Sequence, residues 1–352
     1  MFRVLNVAFP FALVCDDTAG GAEQVLGALD TALVKYGWES FVIAAQGSRV
    51  SGTLINGPSI PAIIDENSES AVRQEYKKLL ERVISDFEID LIHFHGLDFS
   101  EYLPDTGTPV LVTLHLPVGW YKGLIERPGL FYNCVSVNQM ETCGALNGMV
   151  GTIANGVAVN DKYTKNVKGR YAFMMGRVCP EKGFHLGFNA SMRAGVASVL
   201  AGTIFPYVVH QQYFSNIIVP LLSFQKNRYI GNVGGVKKRR LLGCSMCLLA
   251  PSLVRETSSL VAMEAMANGT PVIAFKKGAF GEIIKDKVTG FLVNDELEMA
   301  DAINEAGRID QEECFLNVKK TYSIERMVSE YLDLYQKIIT EGRELYSKTL
   351  GF

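Results

Sequence analysis

Short apolar runs alternate with longer amphipathic segments along this chain of 352 residues. Five runs in the first half have the length and the continuous apolar character of buried strands: 2–14, 40–45, 90–95, 109–115 and 134–138. The segments between them, such as 22–36 and 70–87, carry their apolar residues at helical spacing. This alternation predicts a parallel sheet with helices packed on both of its faces.

The same alternation starts again after a polar stretch at 160–170. Strands are predicted at 172–175, 197–202, 227–233, 247–250, 272–275 and 290–293, with helices such as 184–194 and 213–223 between them. Since no short-period repeat is present, the sequence predicts an α/β protein with two Rossmann-like, doubly wound domains. We expect these domains to span 1–162 and 163–325, and a long helix to occupy 326–352.

Composition narrows the class of protein. The formal net charge is −3, and hydrophobic residues make up 48% of the chain, so nucleic acid is not an expected partner. The one local basic run, Lys237-Lys238-Arg239-Arg240, is interpreted as a solvated helix face. Residues 198–224 are the most apolar span, but they include two prolines and several polar side chains, so no transmembrane helix is predicted.

Cysteine usage indicates the compartment. The seven cysteines are odd in number and scattered, which predicts a reducing, cytoplasmic environment and no disulfide framework. Cys244 and Cys247 have CxxC spacing, but no second cysteine pair accompanies them, so we interpret them as small apolar residues near a strand. The N-terminus lacks the basic region and the cleavage site of a signal peptide. Contact with the inner face of a membrane is left open.

One stretch, 251–275, combines the most candidate chemistry. It predicts a loop, a helix capped by Ser258 or Ser259, and a buried strand. The free N–H groups of a helix start suit a phosphate. Glu256 and Glu264 repel phosphate, but their carboxylates accept hydrogen bonds from hydroxyls. Phosphate and hydroxyls together describe a sugar nucleotide.

Two further turns follow predicted strands and suit the same ligand. Gly176 is followed by Arg177 and Lys182, whose planar fork and point charge both suit a diphosphate. Gly20 and Gly21 lie after the first strand and leave the backbone bare enough for close approach to a phosphate or sugar. Their spacing is not GxGxxG, so a nicotinamide or flavin site is not indicated.

Three histidines follow or end predicted strands. His115 ends the strand at 109–115, so it should face the crevice where α/β folds bind ligands. His93 and His95 are two residues apart and point the same way in a strand, which is half of a metal site. Without a third ligand nearby in the sequence, they are interpreted as polar residues at a strand end.

Taken together, these motifs resemble the family 4 retaining glycosyltransferases. The resemblance rests on GGAE at 20–23, GRVCPEKG at 176–183 and PSLVRETSSLVAMEAMANGTPVIA at 251–274, and it extends through GEIIKDKVTGFLV at 281–293. It implies a GT-B fold, in which two Rossmann-like domains face each other across a cleft. The terminal helix then crosses back to the N-terminal domain, the N-terminal domain binds the acceptor, and the C-terminal domain binds the donor.

The resemblance also implies roles for single residues. Arg177 and Lys182 would hold the donor diphosphate and stabilise it as it leaves, Glu264 would bind the ribose hydroxyls, and Glu256 would contact the donor sugar. His115 would lie near the transferred sugar. The remaining donor contacts implied are Gly20, Gly21, Gly176, Ser258, Ser259 and Leu260.

The reaction that the resemblance implies is sugar transfer with retention by front-face attack, with Glu256 as a covalent nucleophile in the alternative mechanism. No Asp-x-Asp motif is present, so neither a metal nor another cofactor is expected. A UDP-sugar is the favoured donor and GDP-mannose the second choice. The acceptor would be a saccharide or a lipid-linked sugar, in bacterial polysaccharide or glycoconjugate synthesis. The alternatives are a nucleotide-sugar 2-epimerase and a non-catalytic sugar-nucleotide-binding protein.

Overall fold

The computed structural model describes residues 2–15, 18, 20–224 and 226–350, with side chains up to residue 341. The chain forms two compact units. The first contains the residues up to Ala154 and those from Glu325 onward, and the second is Asn155–Ile324. The sequence placed this division near residue 162, but Val157 already forms a parallel bridge to Ser323 inside the second unit.

The first unit is built on a seven-stranded sheet whose strands are all parallel. The strands are β1 (Arg3–Val7), β2 (Glu39–Ala44), β3 (Thr53–Asn56), β4 (Leu91–Phe94), β5 (Val110–Leu114), β6 (Leu130–Cys134) and β7 (Met149–Thr152). Its first three helices are α1 (Gly21–Lys35), α2 (Glu66–Asp86) and α3 (Val137–Met140). The strand order is β3-β2-β1-β4-β5-β6-β7, so the direction of winding reverses between β1 and β4.

The second unit repeats this plan with a six-stranded parallel sheet in the order β10-β9-β8-β11-β12-β13. The strands are β8 (Tyr171–Met175), β9 (Ala197–Ala201), β10 (Arg228–Tyr229), β11 (Cys247–Ala250), β12 (Val272–Phe275) and β13 (Gly290–Val293). The helices are α4 (Phe184–Arg193), α5 (Val208–Tyr213), α6 (Val219–Leu221), α7 (Gly235–Cys244), α8 (Leu260–Ala267), α9 (Phe280–Ile283), α10 (Glu296–Glu305) and α11 (Gln311–Thr321). Here the winding reverses between β8 and β11.

Both faces of the first sheet are covered by helices. On one face Tyr76 of α2 shares a core with Leu5 and Phe94 from the strands. On the other, Leu26 of α1 packs against Val42 and its neighbours. Strands buried on both faces read as continuous apolar runs, which is why the central strands are predicted well from the sequence.

The terminal helix α12 (Ile324–Leu350) packs within the first unit, which confirms the predicted return of the chain. Tyr331 and Tyr335 on this helix are fully buried. The hydroxyl of Tyr335 lies 2.6 Å from Nδ1 of His93, and the hydroxyl of Tyr331 lies 3.1 Å from Oγ1 of Thr113. The helix is therefore held by hydrogen bonds to polar side chains of the sheet as well as by apolar packing.

Four strands differ from the sequence prediction. The strand expected at 134–138 is β6, which ends at Cys134, because Ser136 caps α3 instead by accepting from the amide of Gln139. The edge strands β3 and β7 are missed, since both are partly exposed and lack an apolar run. The strand expected at 227–233 is reduced to β10, two residues long.

The helix expected at 213–223 begins earlier, at Val208, and contains a π-helical stretch, Phe214–Ile218. Pro220 follows in α6. Proline has no N–H and its ring crowds the carbonyl four residues before it, so a wider turn at this point relieves the crowding.

Among the described residues, no helix combines the length and the apolar character needed to cross a membrane.

Candidate functional site

Two of the predicted donor residues of the second unit, Lys182 and Glu256, meet where its winding reverses. The turn after β8 and the loop after β11 leave neighbouring parallel strands at the same edge of the sheet. The amide of Leu253, in the second loop, donates to the carbonyl oxygen of Glu181 in the first at 2.8 Å. Open α/β sheets bind their ligands at this reversal, so the position itself marks a candidate binding site.

Lys182 and Glu256 form an ion pair at this position. Nζ of Lys182 lies 2.7 Å from Oε1 of Glu256, and the two side chains are 26% and 11% exposed. The hydroxyl of Ser252 donates to the same Oε1 at 2.6 Å. Within the described residues, no group donates to the other carboxylate oxygen, Oε2. A fixed cation and a carboxylate with one unused acceptor therefore lie side by side.

Two glycines make this arrangement possible. Gly183 ends the turn of Lys182 with φ +62°, and a Cβ there would overlap the carbonyl oxygen of Pro251. Gly278 has φ +60°, and a Cβ there would overlap the backbone of Glu256, whose carbonyl oxygen accepts from the amide of Ala279 at 2.7 Å. Both positions combine a left-handed backbone with close approach, so only glycine fits without strain.

The helix start predicted at 258–260 is α8. Ser259 is its N-cap, and its hydroxyl accepts from the amide of Ala262 at 3.4 Å, which confirms one of the two predicted caps. The hydroxyl of Ser258 is enclosed and has no hydrogen-bond partner in the described part of the chain. Glu256 and the first turn of α8 thus lie on one continuous segment.

Glu264 lies in α8 and has a partner that the sequence did not predict. Its Oε1 is 2.6 Å from Nζ of Lys238, and both side chains are 16% exposed. Lys238 belongs to the basic run interpreted as a solvated helix face, and for this residue that interpretation is wrong. The order of the elements could have indicated this pair. Because α7 and α8 precede and follow the same strand, β11, a lysine of α7 can reach a carboxylate of α8.

A third group of side chains lies close enough to Arg177 to be affected by its charge. Cys179, Glu181 and His210 place one ligand atom each within 4.8 Å of one another, and no other group of three metal-ligating side chains is found among the described residues. Burial raises the pKa of Cys179 to about 11. Burial and the charge of Arg177 lower the pKa of His210, which therefore has a neutral imidazole at pH 7. The structure agrees with the interpretation of the CxxC pair as small apolar residues. Cys247 is buried in β11, and Cys244 is the last residue of α7.

The predicted residues of the first unit lie in two places. Gly20 is the N-cap of α1 and Gly21 its first residue, and the carboxylate of Glu23 folds back over Gly20 so closely that a Cβ there would overlap it. His115 is buried, with Nε2 3.1 Å from Nδ1 of His95, and burial lowers its pKa to about 3. His115 is therefore a neutral side chain at pH 7, and its role near a sugar stays a prediction.

Comparison with known proteins bears on the second unit most directly. Residues 158–313 match the family model described as glycosyl transferases group 1. The phosphatidyl-myo-inositol mannosyltransferase of Mycobacterium leprae is 27% identical over 125 residues, which are 34% of this chain and 33% of that protein. The match thus spans about a third of the length of this relative.

Solved structures match almost the whole chain. Sucrose-phosphate synthase from Thermosynechococcus elongatus has a TM-score of 0.80 at 17% identity, covering 97% of this chain and 100% of its own. HepE of Anabaena, solved with UDP and glucose, has a TM-score of 0.71 at 16% identity, covering 96% and 100%. At these identities the likeness establishes the fold. The chain has the GT-B fold, and its residues 158–313 match the model of the group 1 glycosyl transferases.

Proposed function

We propose that this protein is a retaining glycosyltransferase of the cytoplasm. It would move a sugar from a nucleoside diphosphate sugar to a hydroxyl of a saccharide or a lipid-linked acceptor, in polysaccharide or glycoconjugate synthesis. The observation that carries the proposal is the Lys182–Glu256 pair at the winding reversal of the second sheet, beside the start of α8. Cation, carboxylate and free helix N–H groups match the diphosphate and the hydroxyls of one donor molecule.

The diphosphate would lie against Arg177, Lys182 and the first turn of α8. When the anomeric C–O bond breaks, its electron pair leaves with the diphosphate, so negative charge grows on the phosphate oxygens. Groups fixed beforehand where charge develops stabilise the transition state more than the ground state. Ser252 and Glu256 hold Lys182 in place before the donor arrives.

Retention follows if the acceptor oxygen attacks from the face that the diphosphate leaves. The acceptor hydroxyl forms the new C–O bond and passes its proton to a departing phosphate oxygen. In this reaction step, neither a metal nor a protein nucleophile takes part. In the alternative route, Oε2 of Glu256 would form a covalent bond to the sugar, and rapid-quench mass spectrometry of a glycosylated peptide around residue 256 would identify it.

The donor base is the first point to test. HepE was solved in complex with UDP and glucose, which supports uridine as the favoured base. We expect UDP to raise the melting temperature more than GDP, ADP or dTDP at equal concentration, because a ligand bound only to the folded state stabilises it by about 2.7 kcal/mol at a hundred times its Kd. A larger shift with GDP would assign GDP-mannose as the donor. If no nucleotide shifts the melting temperature, the proposed donor site is wrong.

Recognition of the ribose gives a second prediction. Glu264 would accept hydrogen bonds from the ribose hydroxyls, and Lys238 would hold its carboxylate in position. Lys238→Met and Glu264→Gln should each weaken UDP binding about 10- to 100-fold in calorimetry, since a hydrogen bond to a charged group contributes about 1.5–3 kcal/mol. Both variants should lose less affinity for 2′-deoxy-UDP than for UDP, because that ligand lacks one of the two hydroxyls.

Lys237→Met is the matched control, because Lys237 is the exposed neighbour of Lys238 on the same helix. It should leave the affinity for UDP unchanged. Equal losses for UDP and 2′-deoxy-UDP in Glu264→Gln would show that Glu264 supports the fold and does not contact the ribose.

The two other candidate functions predict different products. A nucleotide-sugar 2-epimerase would change the configuration of the sugar in the absence of an acceptor, and a binding protein without catalysis would leave donor and acceptor unchanged. Incubation with labelled donor, with and without saccharide acceptors, therefore distinguishes all three by chromatography of the products.

A further inference from the structure

Three side chains that the donor site leaves unused converge on the turn of Lys182. Cys179 is the residue before this turn, Glu181 lies within it, and His210 comes from α5. The thiol sulfur, a carboxylate oxygen and a ring nitrogen all lie within 4.8 Å of one another. Cys179 is buried and the other two are half-buried, so the group is enclosed on the protein side and open on the other.

The present partners of this group are weak. Sγ of Cys179 lies 3.6 Å from the carbonyl oxygen of Arg177, and a thiol is a weak hydrogen-bond donor. Nδ1 of His210 is enclosed, yet no described residue offers it a hydrogen bond. An enclosed imidazole nitrogen without a partner is costly unless a ligand occupies its lone pair.

The chemical nature of the three ligand atoms indicates which metal ion this group would bind. Sulfur, imidazole nitrogen and carboxylate oxygen together suit Zn²⁺, whereas Mg²⁺ and Ca²⁺ prefer oxygen alone. Tetrahedral zinc sites hold their ligands about 2.0–2.3 Å from the metal, so these three side chains need to close by only an ångström or so. A thiolate and a carboxylate also balance the charge of Zn²⁺ beside the guanidinium of Arg177.

We propose that Cys179, Glu181 and His210 form a three-ligand Zn²⁺ site with a fourth position open to water. On binding, the Cys179 thiol loses its proton to solvent and the sulfur takes the metal in its place. The ion would tie the turn of Lys182 to α5. It takes no part in the bond-making of sugar transfer, and it acts as a structural or inhibitory ligand beside the diphosphate site.

Competition against a chromophoric zinc chelator tests the site directly. The full-length protein, stripped with EDTA and reduced, should take up one Zn²⁺ per chain. Cys179→Ser and His210→Ala should each lower the affinity at least about tenfold, because each removes one ligand of three. Cys244→Ser is the matched control, a half-buried thiol of the same unit, and it should bind Zn²⁺ as the parent does.

Cobalt provides an independent readout. Co²⁺ bound in place of Zn²⁺ should show sulfur-to-metal charge-transfer absorption that is absent from Cys179→Ser and retained in Cys244→Ser. Circular dichroism of the metal-free variants shows whether each is folded, and Glu181→Gln provides a milder change if Cys179→Ser is not. The proposal is overturned if the parent takes up no Zn²⁺, or if the folded Cys179 and His210 variants bind it as tightly as the parent.

Discussion

Lys182→Ala should lower the rate of sugar transfer by about two to three orders of magnitude, with a smaller effect on the binding of the donor. The expected size follows from oxyanion-stabilising groups elsewhere, where removing one donor costs about 10²–10³ in kcat. Because negative charge on the diphosphate grows as the sugar leaves, the lysine contributes more in the transition state than in the ground state. Glu256→Gln should cause a loss of similar size.

Three controls separate this catalytic role from a structural one. Lys320→Ala removes an exposed lysine of the same unit and should transfer sugar at the parental rate. Lys182→Ala should lose only about 1–2 kcal/mol of unfolding free energy, since its side chain is 26% exposed. The double variant Lys182→Ala with Glu256→Gln should lose little more activity than either single variant, because residues that act as a unit are not additive. Parental activity in Lys182→Ala would disprove the site.

Mild acid should unfold the first unit. His93, His95 and His115 are all buried, and burial lowers the pKa of each below the ordinary value of 6.5. His93 is bonded to the neutral hydroxyls of Tyr335 and Thr113, and His95 lies 3.1 Å from a second imidazole, that of His115. A proton added to this group is therefore a buried charge, and the loss of its hydration disfavours it.

The hydrogen bonds of His93 show why it stays neutral. Thr113 uses its one hydroxyl proton to donate to Oδ1 of Asn133 at 2.7 Å, so it accepts from Nε2–H of His93. Nδ1 of His93 is then the unprotonated nitrogen and accepts from the hydroxyl of Tyr335. Protonation of Nδ1 would require the hydroxyl of Tyr335 on α12 to turn from donor to acceptor.

The direction of the effect follows from proton linkage. Well above pH 6.5 the histidines are neutral in both the folded and the unfolded state, so they do not lower the free energy of unfolding. As the pH falls below 6.5, the unfolded chain binds protons that the folded chain does not, and this continues for His115 down to its pKa of about 3. Each histidine then contributes a loss of about 1.4 kcal/mol per pH unit, so the three together approach about 4 kcal/mol per unit.

Urea unfolding at pH 7, 6 and 5 measures this slope before the carboxylates, with ordinary pKa values near 4, begin to contribute. His115→Gln should reduce the slope by about a third. His185→Gln should reduce it less, because His185 is only half-buried. A slope that is the same in His115→Gln and in the parent would show that His115 is not the buried neutral group described here.

The sequence predicted the features that repeat along the chain and those that depend on local chemistry. The central strands, the cap at Ser259, the glycine turns and the terminal helix all follow from short patterns. The pair of Lys182 and Glu256 did not, although both residues were singled out, because 74 positions separate them and only the neighbouring strands β8 and β11 bring them together.

The misses have the same physical origin. Lys238 looks like any solvated lysine until the packing of α7 on α8 brings it to Glu264. His93 and His95 look like strand-end residues, but α12 covers the sheet there and buries them. Cys179 and His210 lie 31 positions apart, too far for a ligand spacing to be recognised. A short sequence pattern does not show the side-chain partners that an element distant in the sequence provides.

The return of α12 to the first unit has a consequence for synthesis on the ribosome. A nascent chain that has emerged only as far as the second unit already contains every strand of both sheets, but it lacks the helix that covers His93, Thr113 and Asn133. The second unit can therefore complete its structure first, although it is translated later than most of the first. The N-terminal sheet must wait, with these polar side chains uncovered on one face, until the last helix emerges and packs against them.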